Sequence, residues 1–301
     1  MSVEAVIMNE LHLHMDGSIR RSTFLELAKK NNINVNPDFG FRKGMTLRQA
    51  LGMFSKTVSV MQQMDIITRI TTEICEDLKK DGVEYAEIRF APQLHGDDTE
   101  EVVRSAIKGL CYGHRLILCG LYGENPGIIE GHVNIAKRYK SVVGIDIAGG
   151  PRKTDKWGLH HYVDAYREAK KYGIGRTVHV AEGRSHTEII DAIKMLGAQR
   201  LGHACTILNS EAAVNLVKDM DVVIEACPTS NVHTGIYGSV SEHPIKTWIS
   251  NHIPVTICAD NTLMSKITTS QEINNVKKHC KLTSDEIKWC YNSSLIGRFD
   301  R

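Results

Sequence analysis

Eight short apolar runs, each followed by a stretch of helical periodicity, constrain this chain more than any other feature of its sequence. The runs are VIMNELHLH (6–14), EYAEIRFAP (84–92), HRLILCGLY (114–122), VVGIDIAG (142–149), RTVHVAE (176–182), QRLGHA (199–204), DVVIEACP (221–228) and PVTICAD (254–260). Between them, apolar residues recur every three or four positions. Ile67, Ile70, Ile74 and Leu78 do so in MDIITRITTEICEDLKKDG, and Gly82 stands where that helix would stop. Asp98 with Glu101 reads as a capping box ahead of Val102, Ala106 and Leu110. HHYVDAYREAKKYG and HTEIIDAIKMLG also end in glycine. Strand then helix, repeated, predicts a parallel sheet. Eight such units in 301 residues predict an α/β fold of the closed (β/α)8 TIM barrel type. There is no fixed-period repeat, low-complexity tract or Gly/Ser/Pro-rich linker, so one domain spanning residues 1–301 is expected.

One irregularity stands out. About fifty residues separate the first strand from MDIITRITTE, and they hold two helical patterns, STFLELAKKN and TLRQALGMFSKTVSVMQ. In the second, Thr46 with Gln49 forms a capping box, and Leu47, Leu51 and Phe54 share a face. A helical insertion after strand one, roughly 32–62, lies at the end of a barrel where active sites form. It reads either as a lid or as a packing excursion.

Composition narrows the function. Lys+Arg 37 against Asp+Glu 35 gives a net charge of +2, which calls for neither nucleic acid nor an anionic membrane. The start, MSVEAVIMNE, lacks a basic n-region and a long apolar core, and no stretch approaches eighteen apolar residues. Eight scattered cysteines without a CxxC pair point to a reduced, cytoplasmic protein.

The chemistry concentrates at strand ends. His12 and His14 are two apart, so both imidazoles leave one face of a strand. With 14 histidines in the chain such a pair arises readily by chance. Location adds weight: His179 and Glu182 end strand five, His203 ends strand six, and Asp260 and Asn261 end strand eight. In a barrel these ends meet on one face. Imidazole and carboxylate suit a borderline divalent ion such as Zn²⁺. His12, His14, His179 and Asp260 would be its ligands, and His203 would be free as a base. Phosphate-loop and G-x-S-x-G motifs are missing. ACPTSN reads as a strand end and turn, and LHH (159–161) as a solvated helix face.

Taken in order, ELHLHMDGSIR, RTVHVAE, RLGHA, CPTSN with TG (234–235), ADNTLMS and DIAGG resemble the motifs of the adenosine deaminases of the amidohydrolase superfamily. The resemblance runs from about residue 9 to about 295. It implies one zinc per chain on His12, His14, His179 and Asp260. An activated water adds to C6 of adenosine or 2′-deoxyadenosine, His203 orients and deprotonates it, Glu182 protonates purine N1, and ammonia and inosine leave, as in purine salvage. A donating Glu182 needs a raised pKa. The resemblance also implies that Gly149 meets N3, that Asp16 holds the ribose 5′-hydroxyl, and that Leu47, Leu51 and Phe54 form a lid. Asn261 fits on chemistry: an amide donates directly to purine N7, whereas a carboxylate must first be protonated.

The chain departs from the family pattern at Ala181 and Ala204, where glycines are expected, at Gly150, where an acid is, and at Ala259. The third strand end, CGLYGENPG, lacks an expected arginine, and Ala50 replaces a bulky aromatic. These changes bear on substrate choice. The alternatives are a deaminase of a modified 6-aminopurine (N6-methylated, a nucleotide or 5′-modified), or a non-catalytic barrel that binds a metal or nucleoside. The expected partner is a small purine nucleoside; the sequence leaves the oligomeric state open.

Overall fold

The computed structural model describes residues 8–36, 38–111 and 113–300. Eight parallel strands form: β1 (Met8–His14), β2 (Val83–Phe90), β3 (Arg115–Leu121), β4 (Val142–Ala148), β5 (Gly175–Val180), β6 (Arg200–His203), β7 (Val223–Ala226) and β8 (Val255–Ile257). They are ordered β1 to β8, each hydrogen-bonded to the next. Residues 6 and 7 of the expected first run lie outside the described residues. The barrel closes where Leu13 bridges Asp260: Asp260 N–H donates to the His12 carbonyl (2.9 Å) and His14 N–H to the Asp260 carbonyl (2.8 Å). The fold is the expected (β/α)8 barrel.

The helical patterns hold as well. α1 spans Arg21–Lys30, α2 Leu47–Val60, α3 Met64–Lys80 and α4 Thr99–Gly109. Thr46 and Gln49 make the expected reciprocal cap on α2. At α4, Asp98 accepts from the N–H groups of Glu100 and Glu101, both at 3.0 Å, so its cap rests on the aspartate. α3 buries Ile67, Ile70, Ile74 and Leu78, and Gly82 follows at φ +85°, a conformation that favours glycine. Helices pack on the outward faces of the strands, α3 against β2 among them, and Ile88, Leu116, Val178, Leu201 and Ile224 are wholly buried.

Register then places the site. His14 lies beside Arg89, Cys119 beside Asp146, and His179 beside Gly202, which in turn pairs with Glu225. Gly202 has to be small, because a Cβ there would come within 3.1 Å of the His12 ring. The LHH segment forms a single 3₁₀ turn, not an open helix face: His160 is exposed, but His161 Nδ1 accepts the Gly158 N–H at 3.1 Å.

Candidate active site

Strand geometry brings the predicted ligands together. His14 Nε2 lies 3.2 Å from His12 Nε2 and 3.1 Å from His179 Nε2. Asp260 Oδ1 is 3.5 Å from the Nε2 atoms of both His12 and His14. Donors on a tetrahedral zinc, each at 2.0–2.1 Å, stand roughly 3.3 Å from one another. The tautomers agree with such an ion. His12 Nδ1 is 2.6 Å from Glu225 Oε2, and His179 Nδ1 is 3.0 Å from Asp146 Oδ2. Burial opposes ionisation of these carboxyls, yet Arg89 and Arg200 hold Glu225 well below the usual range, and His179 and Arg89 do the same for Asp146. Both are therefore acceptors and both Nδ1 atoms donate, which leaves the Nε2 atoms of His12 and His179 to offer lone pairs, each within 3.2 Å of His14 Nε2. A carboxylate behind each imidazole is the usual support of a metal-binding histidine.

The backbone is bent to make this approach. Asp260 sits at φ +63°, His203 at +65°, Ala204 at +48° and Ala181 at +54°, all left-handed and all buried. Two of these are the alanines that stand where glycine is expected, so each holds a conformation more costly for it than for glycine.

Beside the four donor atoms opens a cavity of about 360 Å³, a size suited to a small ligand. Its lining includes His14, Asp16, Leu47, Leu51, Phe54, Gly149, Glu182, His203, Asp260 and Asn261. His12, fully buried, lies beneath it. Burial, reinforced by the Asp260 charge, pushes the Glu182 carboxyl up to about 8 despite the pull of Arg184. Glu182 Oε1 stands 3.8 Å from His203 Nε2. Burial keeps His203 far below the ordinary imidazole range, hence neutral. Asp16, also desolvated, is raised to about 7, and its Oδ1 has no hydrogen-bond partner among the described residues. The same holds for Asn261 Oδ1. Gly17 lets Asn261 in, since a Cβ on it would fall 1.7 Å from Asn261 Oδ1.

α2 covers the cavity with Leu47, Ala50, Leu51 and Phe54. The Phe54 ring centroid is 6.4 Å from that of His14 and 6.1 Å from that of Phe41. A Cβ on Gly150 would lie 3.0 Å from Leu47 Cδ2 and 3.2 Å from Arg184 Nη1. The missing acid thus leaves room for the α2 leucine to rest on the backbone. Gly150→Asp is expected to pair with Arg184, push Leu47 outward and raise KM roughly ten-fold with kcat little changed, as steady-state kinetics would show. No arginine ends β3; Tyr122 stands there instead, with the Arg184 guanidinium 5.5 Å from its ring centroid.

Sequence reasoning missed several residues. ACPTSN is not a simple turn: Pro228–His233 forms a short helix, and the Asn231 side-chain amide meets His203 Nδ1 at 3.1 Å. Phe41 and Tyr122 also line the cavity. Arg89, Asp146, Arg200 and Glu225 are all wholly buried around the histidines. Charged residues inside otherwise apolar strands were the available signal.

Comparison with known proteins agrees with the geometry. The family model for adenosine deaminase matches residues 8–299. An adenosine deaminase of Clostridium botulinum (strain 657 / Type Ba4) is 33% identical, with 96% of this chain and 93% of that protein covered. One from Clostridium perfringens (strain ATCC 13124) is 34% identical over the same shares. The crystal structure of the Arabidopsis N6-mAMP deaminase superposes with a TM-score of 0.86 at 23% identity, covering 99% of this chain and 94% of that one; at that identity it shows the shared barrel. The chain belongs to the adenosine deaminase family.

Proposed function

We propose that this chain is a zinc-dependent hydrolytic deaminase of adenosine and 2′-deoxyadenosine, acting in cytoplasmic purine salvage as one barrel domain whose 32–62 insertion is its lid. One observation carries the reading: the buried Glu182 carboxyl shares a cavity with His14, His179 and Asp260, whose donor atoms, with that of His12 beneath, stand 3.1–3.5 Å from their neighbours. His12, His14, His179 and Asp260 would hold the ion. Zinc, when bound there, supplies the Lewis acidity that makes water nucleophilic near neutral pH.

The chain's own residues do the rest. Glu182, protonated, gives its proton to purine N1 and makes C6 electrophilic. Neutral His203 takes one proton from the attacking water and returns it to the departing amino group, and the water's second proton passes from the C6 hydroxyl back to the Glu182 carboxylate as ammonia leaves. Water and adenosine thus become inosine and ammonia, and both side chains end in their starting protonation state. The Asn261 amide donates to N7, the Gly149 N–H to N3, and Asp16 accepts from the 5′-hydroxyl. Leu47, Leu51 and Phe54 close over the base and exclude water.

A second reading, a 5′-phosphorylated or N6-modified 6-aminopurine, draws support from Arg152 at the cavity wall. Asp16 at the same cavity opposes it, because an ionised carboxylate would meet a phosphate. Activity against adenosine, AMP and N6-methyladenosine separates the two: adenosine inert and AMP turned over would overturn the first.

Metal removal gives a further expected result. Dialysis against a chelator should abolish deamination, and one equivalent of zinc should restore it. The melting temperature should fall on stripping, since an ion at a thousand times its Kd stabilises the fold by about 4 kcal/mol.

A further inference from the structure

Arg89, on β2, is wholly buried in the barrel interior. Its Nη1 donates to Asp146 Oδ2 at 2.8 Å, and its Nη2 to Glu225 Oε2 at 2.8 Å and to the Leu11 carbonyl at 2.6 Å. The same two carboxylate oxygens hold the histidines: Asp146 Oδ2 is 3.0 Å from His179 Nδ1, and Glu225 Oε2 is 2.6 Å from His12 Nδ1. The path from guanidinium to oxygen to imidazole therefore runs twice, once to each side. It ties β2 to β4 and β5, and to β7 and β1. The Leu11 carbonyl adds a direct hold on β1, one residue before His12.

We propose that Arg89 is a positioning residue: one planar guanidinium, through Asp146 and Glu225, sets the separation and ring orientation of His12 and His179 and so the metal affinity of the site. The inference rests on the reading of the four donor atoms as a metal centre. A carboxylate alone fixes an imidazole only as well as it is fixed itself, because each can swing about its own side-chain bonds. The two Nη groups stand at a constant angle in one rigid plane, so both carboxylates are referred to a single frame. Arg200 supports Glu225 from its other side, with Nε 2.5 Å from Oε1, and pairs with Glu87. Its side-chain bonds go to Glu225, Glu87 and backbone carbonyls. Among the described residues, Arg89 is the cation whose hydrogen bonds span both carboxylates that hold the histidines. Lysine keeps the charge but is a point donor on a flexible stem and cannot reproduce the fork.

The test uses the full-length protein and measures zinc affinity by competition with a chromogenic chelator, independently of turnover. Arg89→Lys is expected to bind zinc about 10- to 100-fold more weakly, with the melting temperature of the metal-free protein close to wild type. A merely structural arginine would lower the metal-free melting temperature and leave zinc affinity unchanged. A folded Arg89→Lys protein with wild-type affinity would overturn the proposal. Should Arg89→Lys not fold, Asp146→Asn, Glu225→Gln and their double variant decide. Because both act through one frame, the double variant is expected to lose clearly less affinity than the product of the two single losses. Simple multiplication would mean that the carboxylates act separately, and would overturn the proposal. A wild-type protein that binds no zinc would instead overturn the metal reading on which it rests.

Discussion

Glu182→Gln is expected to lower kcat/KM for adenosine by about 10²- to 10⁴-fold, the usual contribution of a positioned general acid. Glutamine keeps the shape and a hydrogen bond to N1 but has no proton to give, so substrate affinity should change far less than kcat. The pH profile should carry the same signature with a definite sign. Burial raises this carboxyl, so the protonated, active form dominates below its pKa and is lost as the pH rises through about 8. A divalent ion nearby favours the charged form, so in the loaded enzyme the falling limb should lie at or below that value. Rates measured across neutral and alkaline pH check this. A limb that persists unchanged in Glu182→Gln would assign it to another group.

The second large effect concerns the four donor atoms. His179→Ala removes one ligand and leaves the Asp146 carboxylate without its imidazole partner. Asp260→Ala removes the donor that lies 3.5 Å from two histidines. Each should drop bound zinc well below one equivalent, as elemental analysis would show. Each should also reduce activity by at least the loss seen for Glu182→Gln, because without the ion the water is a poor nucleophile. The metal-dependent part of the thermal stability should disappear with it. His160→Ala, on an exposed side chain that is not part of the cavity lining, should leave both quantities unchanged.

Much of this was legible in the sequence, for identifiable physical reasons. Strands of a parallel barrel are buried on both faces and so appear as apolar runs, which is why all eight were visible. Their ends were less clear. The last run was expected over 254–260, but β8 stops at Ile257, because the chain must turn at Asp260, at φ +63°, to aim its carboxylate at the histidines. The donor residues could be read because polar side chains at the C-terminal ends of apolar strands have few other uses. The α2 residues that line the cavity could be read because a capping box and a helical face are local patterns. Arg89, Asp146 and Glu225 could not be joined in advance: they sit on three strands far apart in sequence, and only the barrel's register brings them to one level. Asn231 was hidden for a related reason. Its short helix has no periodicity long enough to detect, and its partner His203 is 28 residues away.

The alanines at 181 and 204 and the glycine at 150 mark where this chain differs from the pattern it resembles. Gly150 lines the cavity, while Ala181 and Ala204 adjoin Glu182 and His203 in the chain. None is among the donor atoms.

The central claim is that this cavity deaminates adenosine with one bound metal and a proton from Glu182. The most direct measurement incubates zinc-loaded protein with adenosine and follows both inosine and free ammonia. Equal amounts of each are expected, formed catalytically, and lost both on chelation and in Glu182→Gln. Stoichiometric zinc with no ammonia from adenosine or 2′-deoxyadenosine would contradict it.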